Sequence, residues 1–147
     1  MTVPRPADNL TGWHERMRPF WTPDCTYIAP YPLGSFTSLP GWFWGEHIPF
    51  NDAFDTVTFS QLIFVGEEST ASTTTYAIAR FKGPFRAHNA SADSPALQPT
   101  MDTVRIRITD FYRFEGSQIA TNWMMLDLVD VMRQTHGRVI LRGAAAR

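Results

Sequence analysis

Asp127 is the side chain that the sequence marks most clearly for proton transfer. It ends the apolar segment 123–126, which follows a turn at residues 115–117 and is predicted to be the second strand of a hairpin. Because strand side chains alternate between two faces, Trp123 and Met125 share a face with Asp127. Burial beside such side chains raises the pKa of a carboxyl group towards neutrality. The pattern therefore indicates a general base or acid at Asp127, in a pocket that Trp123 and Met125 line.

The same carboxylate also has a structural interpretation. Asp127 directly precedes residues 128–134, which are predicted to form a short helix, and Asp is a favoured N-cap residue. Asp130 lies three residues further on, in the position of a capping-box partner. One side chain can serve both purposes, so proton transfer and helix capping both stay open from the sequence.

Several other side chains can complete a site for a carbonyl compound. His47 lies among aromatic residues on a predicted helix, where an imidazole either packs in the core or donates to a carbonyl oxygen. Tyr27 and Tyr112 can donate to an oxyanion, although tyrosines on sheets more often serve packing. Trp44 can line a cavity mouth or a subunit interface, and His88 lies in a long predicted loop that can border a pocket.

Metal and cofactor chemistry find no support in the pattern. Cys25 is the only cysteine, which excludes an internal disulfide and a zinc cluster of cysteines. No two histidines share metal-ligand spacing with a carboxylate, and no phosphate-binding or dinucleotide fingerprint is present. We therefore expect neither a metal nor a cofactor.

The composition indicates one globular domain that binds a small apolar molecule. The chain has 147 residues, of which 44% are hydrophobic and 18% charged, and its net charge of −1 gives no reason to expect nucleic acid as a partner. The chain starts without a signal peptide and has no apolar run of about 20 residues, so we expect a cytoplasmic protein that does not enter a membrane. Aromatic residues, at 14%, are numerous enough to line a cavity for a flat organic ligand.

The predicted elements place helices first and antiparallel strands afterwards, which is typical of an α+β domain. Prolines and glycines between residues 22 and 40 predict extended segments and turns there. The loop at residues 83–101 is expected to be mobile and to lie at the pocket mouth. Residues 1–10 are expected to be disordered, 11–137 to form the domain, and 138–147 to be a tail. The patterns predict helices at residues 11–21, 42–53 and 128–134 and strands at 56–65, 71–82, 103–114 and 118–126.

With this order of elements, the chain resembles the SnoaL-like polyketide and ester cyclases of the NTF2-like superfamily. Three segments carry the resemblance: residues 20–34, which read as a Trp-x-Pro-Asp and aromatic-x-Pro entry; residues 47–55, similar to a His-x-Pro-Phe helix; and residues 110–134. Together they cover nearly the whole predicted domain. The resemblance implies a curved antiparallel sheet that wraps against N-terminal helices and encloses a deep apolar pocket.

The resemblance also implies a function. Asp127 would remove a proton next to a carbonyl group without a cofactor, and His47 would assist, as in an aldol-type cyclisation or an isomerisation. Phe50, in the second segment, would contact the apolar substrate. Dehydration, and epoxide or ester hydrolysis in which the same Asp activates water, are chemical alternatives. A non-catalytic ligand-binding or dimerisation module is a further alternative, because fold does not fix function.

A homodimer is expected as well. The short N-terminal segment leaves part of an aromatic-rich sheet uncovered, and exposed apolar faces of that size usually find a partner. Related cone folds commonly pair through their sheets.

Overall fold

The computed structural model describes residues 10–30, 33–85 and 102–136. The predicted disordered segment before residue 10, the tail at 138–147 and most of the predicted mobile loop, including His88, lie outside these residues. None of the helices among the described residues is long and apolar enough to span a membrane.

In the described part of the chain, four short α-helices accompany the sheet. Helix α1 (Leu10–Met17) continues into a 3-10 turn at Arg18–Phe20, where Pro19 ends the α-helical hydrogen bonding. Ser38 begins the next helical segment, because its Oγ accepts a hydrogen bond of 3.0 Å from the backbone amide of Gly41. That helical segment comprises α2 (Leu39–Trp42), a π-helical turn (Phe43–His47) and α3 (Ile48–Ala53). Helix α4 (Leu128–His136) is the last element of the described residues.

Six strands form one curved, open sheet. Their spatial order is β2-β1-β6-β5-β4-β3, and every neighbouring pair is antiparallel except β1 and β6, which are parallel. The predicted α+β architecture is confirmed. The strands are β1 (Trp21–Ile28), β2 (Ser35–Phe36), β3 (Phe54–Gly66), β4 (Thr70–Phe81), β5 (Thr103–Glu115) and β6 (Gln118–Leu126).

The predicted hairpin at residues 115–118 is present. Glu115 pairs with Gln118, so Gly116 and Ser117 form a two-residue loop. Gly116 has a φ of 58°, a conformation that glycine adopts without steric cost and that two-residue hairpin turns require. This turn fixes the register of β5 against β6, and the register decides which side chains of both strands face the helices.

The sheet has an inner and an outer face. On β5, Val104 and Ile106 are buried in the core, while their neighbours Arg105 and Arg107 are exposed. From Val104 to Tyr112 the inner face therefore carries the even-numbered residues of β5 and, through the pairing of Asp110 with Met124, residues 122, 124 and 126 of β6. The odd-numbered residues of these two stretches lie on the outer face, and a bulge between Arg113 and Phe114 shifts the register beyond them.

Aromatic side chains fill the space between the inner face and the helices. Phe54 packs against Phe50 with ring centroids 4.8 Å apart and against Phe81 at 4.7 Å. A second group forms around Trp42, whose ring stacks on Trp21 at 5.1 Å. The aromatic surplus of the sequence therefore serves core packing to a large extent.

Gly45 allows the helical segment to approach β2, and we predict that a side chain there is destabilising. A methyl group at Gly45 would overlap the ring of Phe36, which also packs against Tyr27. Alanine is otherwise the better helix former by about 1 kcal/mol, so a net loss of about 1–3 kcal/mol on Gly45→Ala would report the overlap. Urea denaturation measures this loss. In a Phe36→Ala background the loss should largely vanish, and an equal loss in both backgrounds would contradict the contact.

Candidate active site on the inner face of the sheet

A carboxyl group with two donors stands on the inner face of the sheet. Asp110 is partly buried on β5, and the side-chain amide of Asn122 on β6 donates a 3.0 Å hydrogen bond to its Oδ1. The phenol of Tyr112, two residues further along the same strand, also acts on the pKa of this carboxylate. Burial raises the pKa of Asp110, while the bonds from Asn122 and Tyr112 oppose that rise because they favour the charged form.

The helical segment brings a second carboxyl group to the same region. Glu46 lies on the π-helical turn with only 8% of its surface exposed. Burial raises its pKa to about 7; the Trp42 indole lowers it, and the nearby charge of Asp110 raises it slightly. A glutamate in this setting remains protonated in a large fraction of the molecules near neutral pH, where an exposed glutamate has lost its proton.

Tyr27 links the two carboxyl groups electrostatically. Its side chain is 4% exposed and its ring lies 5.7 Å from that of Trp42. Burial raises the pKa of Tyr27 far above its ordinary range, and the charges of Glu46 and Asp110 raise it further. The phenol therefore stays protonated and is a hydrogen-bond donor at any physiological pH.

A cavity of about 600 Å³ opens onto Asp110 and Tyr112. Strands β3, β4 and β5 line it, and its walls combine aromatic and aliphatic side chains with a few polar groups, as is usual for small-molecule sites. The pairing of Thr73 with Asp110 places a hydroxyl beside the carboxylate on the inner face. The lining residues are Phe59, Gln61, Phe64, Thr73, Thr75, Ile108, Asp110 and Tyr112.

Asp127 has different surroundings from those expected. Its Oδ1 accepts a 3.0 Å hydrogen bond from the backbone amide of Asp130, and its Oδ2 pairs with Arg107 on the outer face. The amide of Asp130, followed by Arg107, lowers the pKa of Asp127. The predicted rise of this pKa is therefore wrong, because the carboxylate caps α4 and forms an ion pair and is not enclosed by apolar groups.

Trp123 and Met125 share a face with Asp127 as expected, but that face is the outer one. The predicted pocket lined by these two side chains around Asp127 is wrong, because Asn122 and Met124 are the residues of β6 that face inwards. Trp123 is 41% exposed and borders a separate outer groove of about 670 Å³.

The remaining predicted site residues differ in whether the structure brings them to Asp110. His47 packs between the rings of Trp42 and Phe43, at 5.5 and 5.7 Å, and its Nε2 lies 2.8 Å from the Asn51 side-chain amide nitrogen. Trp44 is 63% exposed and packs edge-on against Phe43. Phe50 belongs to the aromatic core with Phe54. Of the predicted residues, Tyr27 and Tyr112 are those that the structure brings to Asp110.

Solved structures with the same fold identify its class, although no family model and no curated protein matches the sequence. A proposed SnoaL-like polyketide cyclase from Jannaschia sp. CCS1 superposes with a TM-score of 0.66 at 15% identity, over 87% of this chain and 81% of that one. A proposed polyketide cyclase from Acidithiobacillus ferrooxidans gives 0.63 and 16%, over 87% and 85%. A hypothetical protein of ketosteroid isomerase-like fold from Catenulispora acidiphila DSM 44928 gives 0.60 and 12%, over 88% and 83%. The chain has the SnoaL-like, NTF2-like fold.

Within this SnoaL-like fold, three polar residues of the site were not predicted from the sequence: Glu46, Asp110 and Asn122. A signal for Asp110 was present, because it continues the period-two row of Val104 and Ile106 that forms the apolar face of β5. A carboxylate in such a row is either buried or at a cavity. Glu46 has no comparable signal, since its burial depends on how the helical segment packs against the sheet.

The raised pKa of Glu46 predicts a specific dependence of stability on pH. Above about pH 4.5 the unfolded chain loses this proton while the folded protein retains it up to about pH 7, so the free energy of unfolding falls as the pH rises through this window. Glu46→Gln removes the titration. Relative to the parent, the variant should gain roughly 2–3 kcal/mol of stability between pH 5 and pH 8, measured by urea denaturation. The exposed Glu68→Gln variant is the matched control, and parallel curves for Glu46→Gln and the parent would contradict the burial.

Proposed function

We propose that the protein is a cofactor-free enzyme that moves a proton next to the carbonyl group of a neutral, mostly apolar substrate, with Asp110 as the base. The observation that carries the proposal is the partly buried Asp110 carboxylate, bonded to Asn122 and placed with Tyr112 at the wall of a cavity of about 600 Å³. A positioned carboxylate with a raised pKa is what removal of an α-proton requires.

The two carboxyl groups suit different roles. Asp110 has two donors that favour its ionised form, whereas Glu46 is almost completely enclosed and keeps its proton more strongly. Asp110 would accept the α-proton, the electron pair of the broken C–H bond would move to the carbonyl oxygen, and Asp110 would return the proton to carbon. Tyr27 and protonated Glu46 supply neutral donors in a water-poor region, where they do not neutralise the base.

The lining of the cavity favours a substrate without negative charge. Its eight lining residues include one carboxylate and no lysine or arginine. An anionic group would meet the charge of Asp110 without a counter-ion there. Phe59 and Phe64 instead provide apolar surface for a flat ring, and Thr73 and Thr75 provide hydroxyl groups for neutral oxygens.

The comparisons support this class of reaction. Two of the solved structures with this fold are described as proposed polyketide cyclases, and another has a ketosteroid isomerase-like fold. Carbonyl-directed cyclisation and isomerisation both pass through an enolate, so one arrangement of base and donors serves either. Dehydration, and epoxide or ester hydrolysis, remain chemical alternatives for the same base.

The role of Asp127 as the base stays a prediction from the resemblance. Its lowered pKa makes it a weaker base than a carboxylate at its ordinary value, and both of its oxygens have partners. We therefore propose Asp110 for this role and use Asp127 as the comparison in the experiment below. His47 is proposed to hold the π-helical turn in place through its packing against Trp42.

We propose that two copies pair through the outer face of the sheet. Exposed apolar side chains of three strands lie in one register row on this face, namely Val65, Phe111 and Trp123, with Ser72 of β4 between Val65 and Phe111. The Arg107–Asp127 ion pair at one border carries both charges, so the face is complementary to a second copy of itself. The outer apolar patch consists of Ile63, Val65, Ile78, Phe111, Trp123 and Met125.

Exchange of α-protons tests the base directly. In D2O the protein should speed deuterium incorporation next to the carbonyl of 1-tetralone, followed by NMR, and Asp110→Asn should lower this rate by about 10²–10⁴ because the amide cannot accept the proton. Asp127→Asn keeps a capping acceptor and should exchange at the parent rate. Exchange that survives Asp110→Asn but is lost in Asp127→Asn would reverse the assignment. Binding of 1-tetralone without exchange by the parent would favour a binding module.

Sedimentation velocity tests the dimer. The parent should sediment as a dimer at micromolar concentration, and Trp123→Arg should give a monomer, because a charge would be buried in the centre of the outer apolar patch. Phe64→Arg is the matched control: Phe64 is equally apolar and 65% exposed, but its pairing with Thr73 places it on the inner face. A monomeric parent would contradict the proposal, and so would a dimer that only Phe64→Arg disrupts.

A further inference from the structure

Trp21 carries a buried donor that no group of the described residues satisfies. Its side chain is 5% exposed, and within the described part of the chain its Nε1–H has no acceptor at hydrogen-bond distance. Buried donors are satisfied in the great majority of cases, and an exception calls for a specific explanation. Removal of the indole N–H from water without a replacement hydrogen bond lowers the stability of the protein. If this position required only an aromatic ring, phenylalanine would therefore give the more stable protein.

The position of this donor relates it to the proposed active site. The Trp21 ring stacks on Trp42, at 5.1 Å between centroids and 20° between planes. Trp42 in turn contacts Tyr27 at 5.7 Å, and its indole acts on the carboxyl group of Glu46. The ring of Trp42 therefore lies between Trp21 and the two buried donors of the site, Tyr27 and Glu46.

The backbone at Trp21 is held firmly, so the indole has a fixed location. Trp21 is the first residue of β1 and pairs with Ile119 of β6. The side-chain amide of Gln118 donates to the Trp21 carbonyl oxygen at 3.1 Å, and to the carbonyl oxygens of Arg18 and Pro19 at 3.3 and 3.4 Å. A donor held in this way is organised before a ligand arrives, which reduces the cost of binding.

We propose that Trp21 is a substrate-positioning residue whose Nε1–H donates a hydrogen bond to an oxygen of the bound substrate. The bond is formed to a neutral acceptor, a carbonyl or hydroxyl oxygen, since an indole can donate but not accept. This inference rests on the proposed function, because it assumes that a neutral oxygenated substrate binds between the sheet and the helices. It adds a specificity element: a further neutral donor for the carbonyl oxygen of the substrate, in addition to the base at Asp110.

Indole N–H signals in a ¹H–¹⁵N NMR spectrum test the bond directly. The chain has five tryptophans, and Trp21→Phe identifies the Trp21 signal by its loss. On addition of 1-tetralone, the Trp21 proton should move downfield more than any other indole proton, because it gains an acceptor. Tetralin has the same ring system without the oxygen, and it should leave the Trp21 proton close to its starting position.

Kinetics with a matched variant separate positioning from packing. Trp21→Phe keeps an aromatic ring and should lower kcat/KM for exchange of 1-tetralone by roughly tenfold or more, as expected for one lost hydrogen bond to the substrate in a dry site. Trp44→Phe makes the same chemical change at an indole that is 63% exposed and should leave the kinetics unchanged.

The outcomes distinguish this inference from the proposed function. If Asp110→Asn abolishes exchange while the Trp21 signal is unmoved by 1-tetralone up to its solubility limit, the inference is wrong and the proposed function stands. An equal shift with tetralin, or a Trp21 proton that is already downfield and stays there because an internal water accepts its bond, also overturns the inference. If neither Asp110 nor Asp127 affects exchange, the proposed function fails, whatever the Trp21 signal does.

Discussion

Burial of two carboxyl groups in one aromatic interior is the constraint on which the rest of the structure depends. Asp110 and Glu46 come from the sheet and from the helical segment, so the cost of removing them from water arises only when the two layers pack together. Asn122, Tyr112 and Trp42 reduce that cost by hydrogen bonding or favourable dipoles. The fold accepts lower stability above about pH 7 in exchange for carboxyl groups whose protons are held in the range where proton transfer is useful.

The alternation of side chains along β5 and β6 allows the same two strands to serve two purposes. Asp110 and Tyr112 face the cavity, while Phe111 between them belongs to the outer apolar patch. A hairpin turn with glycine at a positive φ sets the register for both faces at once. A slip by one residue would place the carboxylate on the outer face and the phenylalanine in the cavity, so site and proposed interface are linked through the register.

Asp127 illustrates how one local pattern supports two interpretations. The residues that made it a candidate base, an apolar strand before it and a helix after it, are also those that produce an N-cap. The alternation of side chains along the strand correctly groups Asp127 with Trp123 and Met125. Alternation alone does not indicate which face of the sheet the helices cover. The amide of Asp130 and, after it, Arg107 on β5 stabilise the ionised carboxylate on the outer side.

The sequence by itself determined the α+β class, the strands β3 to β6, the hairpin at Gly116, the final helix and the resemblance to SnoaL-like proteins, because these follow from periodicity and turn chemistry within short segments. It also brought Tyr27 and Tyr112 forward as candidates. Strand β1, which Pro23 within it and the prolines after it concealed, and the burial of Glu46 were decided by tertiary structure. So were the opposite pKa shifts of Asp110 and Asp127, since the pKa of a carboxyl group also depends on neighbours distant in sequence: Asn122 and the helical layer for Asp110, and Arg107, in addition to the Asp130 amide, for Asp127.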